Sequence, residues 1–225
     1  MVRIATERVF VLRDVRIFYR KKGRMKFVSH LDMNRFMTRL VNKAKIPIWF
    51  TEGFNQHAYF NFAVPLTLGY EGEYEVLDLR IIDENYSNEQ LLADLNATSV
   101  PGIEFWAAEE PVLKMKELRF AEFEVLFDGL DANATNKIRD FFAQDSIITQ
   151  KTTKKGGTKD IDIAPLIKKA ELCDNTLTLI LTAGNENNLN PSLVLSTMFK
   201  NVGIDPIYYT VVRTMIYDGE LKPFK

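Results

Sequence analysis

Cysteine is nearly absent from this chain of 225 residues: Cys173 stands alone. One thiol closes no internal disulfide, and by itself it holds neither a zinc ion nor an iron–sulfur cluster. Histidine is almost as scarce, with two residues, His30 and His57. No run of about 18 apolar residues is present, so no membrane-spanning helix is expected. The opening MVRIATERVFVLRD is too polar for a secretory signal, and a cytoplasmic protein is expected. Net charge is also lacking, at −1, so the chain as a whole has no electrostatic preference for a partner. Nothing resembles a P-loop, a nucleophile elbow, an HExxH pair or a dinucleotide fingerprint. No cofactor and no metal is expected.

What the chain has is a core and a charge asymmetry. Hydrophobic residues make up 46% and include 16 phenylalanines, enough for an aromatic-rich core. Residues 1–50 hold 13 Lys+Arg against 3 Asp+Glu, a local +10. Residues 51–110 hold 12 Asp+Glu against one Arg, a local −11. Two readings are open: the segments neutralise each other within one domain, or the basic face meets a polyanion.

Alternation and helical spacing predict an order of elements. VRIFYR (15–20) reads as a strand, KKGR (21–24) as a turn and MKFVS (25–29) as a short extended piece. A helix follows, with Ser29 as N-cap and Met33, Phe36, Met37, Leu40, Val41 and Ala44 on one side. IPIWFT (46–51), part of HAYFNFAVPL (57–66) and YEVLDLRII (74–82) read as strands around the loop EGFNQH (52–57). SNEQLLADLNA (87–97) is a capped helix and PGIEFWAA (101–108) a strand. Strand, helix and strand recur at 121–127, 134–144 and 146–153, then strand, helix and strand at 176–183, 191–199 and 206–218. The stretch IDIAPLIKKAEL between them is hard to assign. Two βαββαβ patterns in tandem predict an α+β protein of two ferredoxin-like units, 1–110 and 111–225.

The candidate site residues gather in the first unit. Arg35, Arg39 and Lys43 are spaced four apart and form a basic stripe on the first helix. Arg20, Lys21, Lys22, Arg24 and Lys26 lie just upstream, and such a cluster can contact several phosphates. His30 opens the helix, where the positive end of the dipole welcomes an anion. If 57–62 is extended, His57, Tyr59 and Asn61 share one face, able to stack on a base and bond its edge. They equally suit the polar face of a half-buried strand. His30 and His57, with Ser29, Tyr59 and Glu52 nearby, can also supply acid and base for metal-independent RNA cleavage, but only if they meet. Glu71, Glu73 and Glu75 alternate and would repel one another unless solvated or faced by cations, for which the basic helix is the simplest source. KKGGTK (154–159) is a mobile cationic finger or a solubilising loop.

Residues 15–82, with their K-x-G-R, SHLD (29–32) and EGFN-x-H (52–57) motifs, closely resemble the start of a bacterial family of uncharacterised radical-SAM-associated proteins. RTMIYDG (213–219) resembles that family's closing strand more weakly. Gln56 and Ala58 stand where the family usually has prolines, Thr51 where it has Ser, and Gly72 near a usual Ser. The matching positions are His30, His57, Asp32, Arg35, Glu52 and Asn55. The resemblance implies a standalone accessory module whose partners are RNA and a radical SAM protein. The leading expectation is an RNA-binding module. A ribonuclease using His30 and His57 and a protein–protein adaptor docking through 52–62 and 71–84 are the alternatives.

Overall fold

A computed structural model describes residues 12–152, 156–184 and 187–225. The protein is α+β. The first half runs β1 (Arg13–Lys21), α1 (His30–Lys43), β2 (Phe60–Phe62), β3 (Glu71–Ile81), α2 (Asn88–Thr98) and β4 (Ile103–Glu109). The second runs β5 (Phe120–Phe127), α3 (Ala132–Phe142), β6 (Ile148–Thr152), β7 (Thr158–Asp162), β8 (Ile167–Cys173), β9 (Thr176–Thr182), α4 (Pro191–Val202) and β10 (Tyr209–Tyr217).

One 8-stranded sheet carries both halves, in the order β4-β1-β3-β10-β5-β9-β8, with β2 added beside β3. Strand order within the first half is β4-β1-β3-β2, and within the second β10-β5-β9-β8. Each follows from strand–helix–strand–strand–helix–strand connectivity, with β6 and β7 inserted in the second half as a separate two-stranded ribbon. The two halves of the chain therefore share one sheet. They join where β10 runs parallel to β3 at Glu71 and Gly72; the other pairings are antiparallel.

Local chemistry explains the elements. Ser29 caps α1 by accepting from the Asp32 amide at 3.2 Å, and Ser87 caps α2 by accepting from Gln90. The apolar side of α1 (Met33, Met37, Leu40, Val41) packs with Leu91 and Leu95 of α2 on Val15, Ile17, Leu77 and Leu79 of the sheet. A second core lies under α3 and α4 and reaches Phe18 and Val76 on the opposite face of β1 and β3. Alternation along β1 thus feeds two cores with its two faces.

Several expected elements change. Residues 25–29 are not extended: Gly23–Phe27 form a 3-10 turn, entered at a Gly23 φ of +57°. Residues 46–51 form only isolated bridges, Ile48 to Ile81 and Phe50 to Ala58. The strand expected within 57–66 shortens to Phe60–Phe62. The stretch left unassigned contains the end of β7, a 3-10 turn at Ala164–Leu166 and β8. Of the basic loop, Lys154 and Lys155 lie outside the described residues, as does most of the opening segment. Among the described residues no helix is long and apolar enough to cross a membrane.

Candidate nucleic-acid interface

Strand register builds the site. On the face of the first half away from α1 and α2, Asn61 of β2 lies opposite Asp78 of β3, and Asp78 opposite Arg16 of β1. One step along, Arg80 lies opposite Asp14, with Tyr59 beside it. Two rows result: amide, carboxylate, guanidinium, and phenol, guanidinium, carboxylate.

The charges within these rows pair. Arg16 donates through Nε and Nη2 to Asp78 at 2.7 and 2.8 Å. Arg80 donates to Asp14 at 2.6 and 3.2 Å. The Arg80 guanidinium also sits 4.9 Å from the Tyr59 ring centre and 5.2 Å from that of Trp49. Arg16 is fully buried, with the Phe224 ring 4.4 Å from its guanidinium carbon. Its Nη1 is buried without a hydrogen-bond partner.

Above the rows lies a groove of about 650 Å³. Tyr59, Asn61, Asp14, Arg16 and Asp78 line it, and the segment from Glu110 to Met115 forms its other wall. The Tyr59 hydroxyl and the Asn61 amide make no side-chain hydrogen bond among the described residues, so both are available. Of the trio expected on one strand face, Tyr59 and Asn61 are there. Ala58, Phe60 and Phe62 pack on the other side, against the helix-covered core.

The histidines do not join this groove. His57 is held in its own exposed loop, its Nδ1 3.0 Å from Thr51 Oγ1 and 3.1 Å from the Asn55 carbonyl. His30 packs edge-on against Phe62, ring centres 5.0 Å apart, beside a water-sized cavity that Tyr19, Lys21 and Glu75 also line. Burial, and then the Lys21 ammonium, holds the His30 imidazole below the usual histidine range. Among the described residues, no cavity lining or hydrogen bond includes both rings.

Most of the basic cluster is already matched. Arg20 pairs with Glu73 at 3.1 Å and with Glu104 at 3.0 Å, and Lys22 pairs with Glu73 at 2.6 Å. Lys26 faces Glu71, and Lys21 is buried, donating to the Val28 carbonyl. Glu75 makes a bidentate buried pair with Arg213 of β10. The alternating glutamates are therefore neutralised by the segment around β1 and by β10, not by the first helix. On α1, Asp32 accepts from Ser29 and Arg35, and these two bonds, Ser29's first, hold its carboxyl below the usual range. Arg24, Arg39, Lys43 and Glu52 are exposed, with no ion-pair partner among the described residues.

Arg16, Asp78, Asp14, Arg80 and Trp49 escaped the sequence reading. An Arg in the even positions of β1 and an Asp in those of β3 were visible as polar interruptions of apolar strands. What was not visible is that β1 and β3 are neighbours in a register that sets these residues opposite one another.

A family of uncharacterised proteins conserved in bacteria, DUF2344, matches residues 14–191. The chain belongs to this family. β2, β3 and all of β1 but Arg13 fall within the region matched to DUF2344, as do the SHLD and EGFNQH motifs. The family's description carries no link to radical SAM chemistry. No curated protein matches the chain. Among solved structures, a chain from the crystal structure of a Cbf5-Nop10-Gar1 complex is similar, with a TM-score of 0.45 and 11% identity. The similarity covers 92% of this DUF2344 chain and 50% of that one, so this chain spans about half its length.

Proposed function

We propose that the protein is an RNA-binding module that holds an unpaired nucleotide in the groove on the face of the first half away from α1 and α2. The observation that carries this reading is the placement of Tyr59 and Asn61 in that groove, both with side chains that make no hydrogen bond among the described residues, with Arg80 stacked on Tyr59. Unpaired bases are held by stacking on aromatic rings and by bonds to their edges. Contacts to the backbone of flanking nucleotides, outside the groove, are assigned to the unmatched cations Arg24, Arg39 and Lys43; the internally paired Arg20 and Lys22 are released from that role. Presentation of the RNA to a radical SAM partner, implied by the family resemblance, completes the proposal.

The test is titration of labelled single-stranded RNA, read by fluorescence anisotropy. Affinity should fall on the order of ten- to a thousand-fold between low and moderate salt. Absence of binding at low salt removes the reading. Co-purification of a radical SAM protein that survives nuclease treatment tests the partner.

A second reading, a protein–protein adaptor, is favoured by one observation. Phe54, at the centre of EGFNQH, is fully exposed, and Phe27, Leu31 and Leu68 around the start of α1 are mostly so. Exposed apolar side chains of this size mark interaction surfaces when they gather in a patch. A partner whose capture is lost in Phe54→Ser but kept in Tyr59→Leu would favour it over RNA binding.

A further inference from the structure

The groove can be read further, on the basis of the RNA-binding proposal. Its floor has spent its charge. Arg16 is matched by Asp78 and Arg80 by Asp14, each through two bonds. At the rim, Glu84 and Glu110 balance Arg13 and Lys114, and the Arg13 guanidinium is turned away to Asn88 Oδ1 and the Tyr86 carbonyl, both at 2.6 Å. Such a groove lacks the cluster of unmatched cations that a phosphate needs.

What remains unmatched is neutral or donor-only. Arg16 Nη1 is buried and unbonded, a condition that is costly for a guanidinium N–H. Asp78 takes the Nε and Nη2 edge, and the Phe224 ring lies against the guanidinium. Arg16 is among the residues that line the groove, so an acceptor entering there and displacing the covering segment 110–115 would meet its guanidinium. Asn61 adds an amide that both donates and accepts, and Tyr59 adds an aromatic face.

We propose that this groove is a base-reading site. It takes an uncharged planar ring with an acceptor edge, such as a nucleobase. Tyr59 stacks on the ring, and Asn61 and Arg16 Nη1 bond its edge. The groove gains nothing from the phosphate of the nucleotide it holds.

Free nucleosides test this directly. Saturation-transfer NMR with uridine, cytidine, adenosine and guanosine should show transfer concentrated on base protons for at least one of them. The nucleoside and its 5′-monophosphate should bind within about threefold of each other, and inorganic phosphate should not displace either, as expected for a site with no phosphate contact. Tyr59→Leu should weaken binding roughly ten-fold or more, in line with the loss of one stacking contact, and Tyr59→Phe should restore most of it. Asn61→Ala, at a partly exposed position that leaves the Arg16–Asp78 pair intact, should also weaken it. No transfer from any nucleoside, transfer unchanged in both Tyr59→Leu and Asn61→Ala, or displacement by phosphate overturns the proposal. RNA that binds while nucleosides do not leaves the RNA reading standing and removes the base site. Nucleosides that bind while RNA does not remove the RNA reading and keep the base site.

Discussion

Arg16 and Asp78 form a two-bond ion pair on the strand face away from α1 and α2, and the arginine of the pair is wholly buried. Burying a guanidinium is expensive, and the fold tolerates it because β1 and β3 set the carboxylate directly opposite. The neighbouring Asp14–Arg80 pair repeats the geometry with reversed polarity nearer solvent. The pairs differ in burial and should differ in energetic weight.

Asp78→Ala leaves Arg16 charged and unpaired in the interior, so it should destabilise the fold by about 3–5 kcal/mol. Asp14→Ala removes a partner that is half exposed, and should cost about 1 kcal/mol or less. Urea denaturation of the two variants checks the contrast. Equal losses would show that burial does not separate the pairs.

Gly72 is tied to the other buried pair. A Cβ there would lie 2.2 Å from Glu75 Oε1, and that carboxylate cannot swing aside because Arg213 holds it. Gly72→Ala should therefore destabilise by roughly 1–3 kcal/mol, the usual range for overpacking. The joint between the halves should loosen first. Faster amide exchange at β3 and β10 than at β9 in the variant would report this.

The first turn of α1 offers a third measurement. Ser29→Ala removes the cap and should cost about 1 kcal/mol of stability. Ser29 is also the main reason the Asp32 carboxyl sits low, so its removal should move that carboxyl back toward the ordinary aspartate value. Chemical denaturation and carboxyl NMR titration follow the two effects separately.

His30 sets a pH dependence. Its imidazole is harder to protonate in the fold than in the unfolded chain, because of burial and then Lys21. The folded state therefore binds fewer protons than the unfolded state once the pH drops to the unfolded value of about 6.5. This contribution to stability is complete above that pH. It is lost progressively as pH falls from there toward the lower folded pKa. His30→Asn should flatten the decline in the urea midpoint between pH 7 and 5, and parallel curves for the two proteins would contradict the assignment.

The parts of this structure that were legible in the sequence were those set by local chemistry. Ser29 and Ser87 marked helix starts because a hydroxyl before an apolar-periodic run can accept from the first free amides. Alternation in 57–62 placed Tyr59 and Asn61 on one face before any partner strand was known. Sequence distance hid the rest. Nothing local says that β10 slots beside β3, or that Asp78 faces Arg16 across 62 residues. The basic run at 20–26 read as a polyanion grip because its partners, Glu71, Glu73 and Glu104, lie far along the chain. The two scarce imidazoles each find local partners, His30 against Phe62 and His57 against Thr51, which spacing alone does not show. β8 went unread because its two lysines and one glutamate interrupt the alternation of an edge strand, where one side needs no partner.

That redistribution of charge gives the sharpest test of RNA binding. A cation held by two carboxylates releases few counterions when a phosphate approaches, whereas an unmatched one contributes fully. Arg20 is of the first kind, bonded to Glu73 and Glu104. Arg39, on the exposed side of α1, is of the second. Arg39→Ala should weaken RNA binding and reduce the slope of log affinity against log salt by about 1. Arg20→Ala should leave that slope almost unchanged, or steepen affinity loss by freeing Glu104 to repel the strand, since Lys22 still holds Glu73. Anisotropy titrations of both variants across a salt series separate the cases. A slope reduced by Arg20→Ala but not by Arg39→Ala would move the backbone contact to the β1 turn and off the helix.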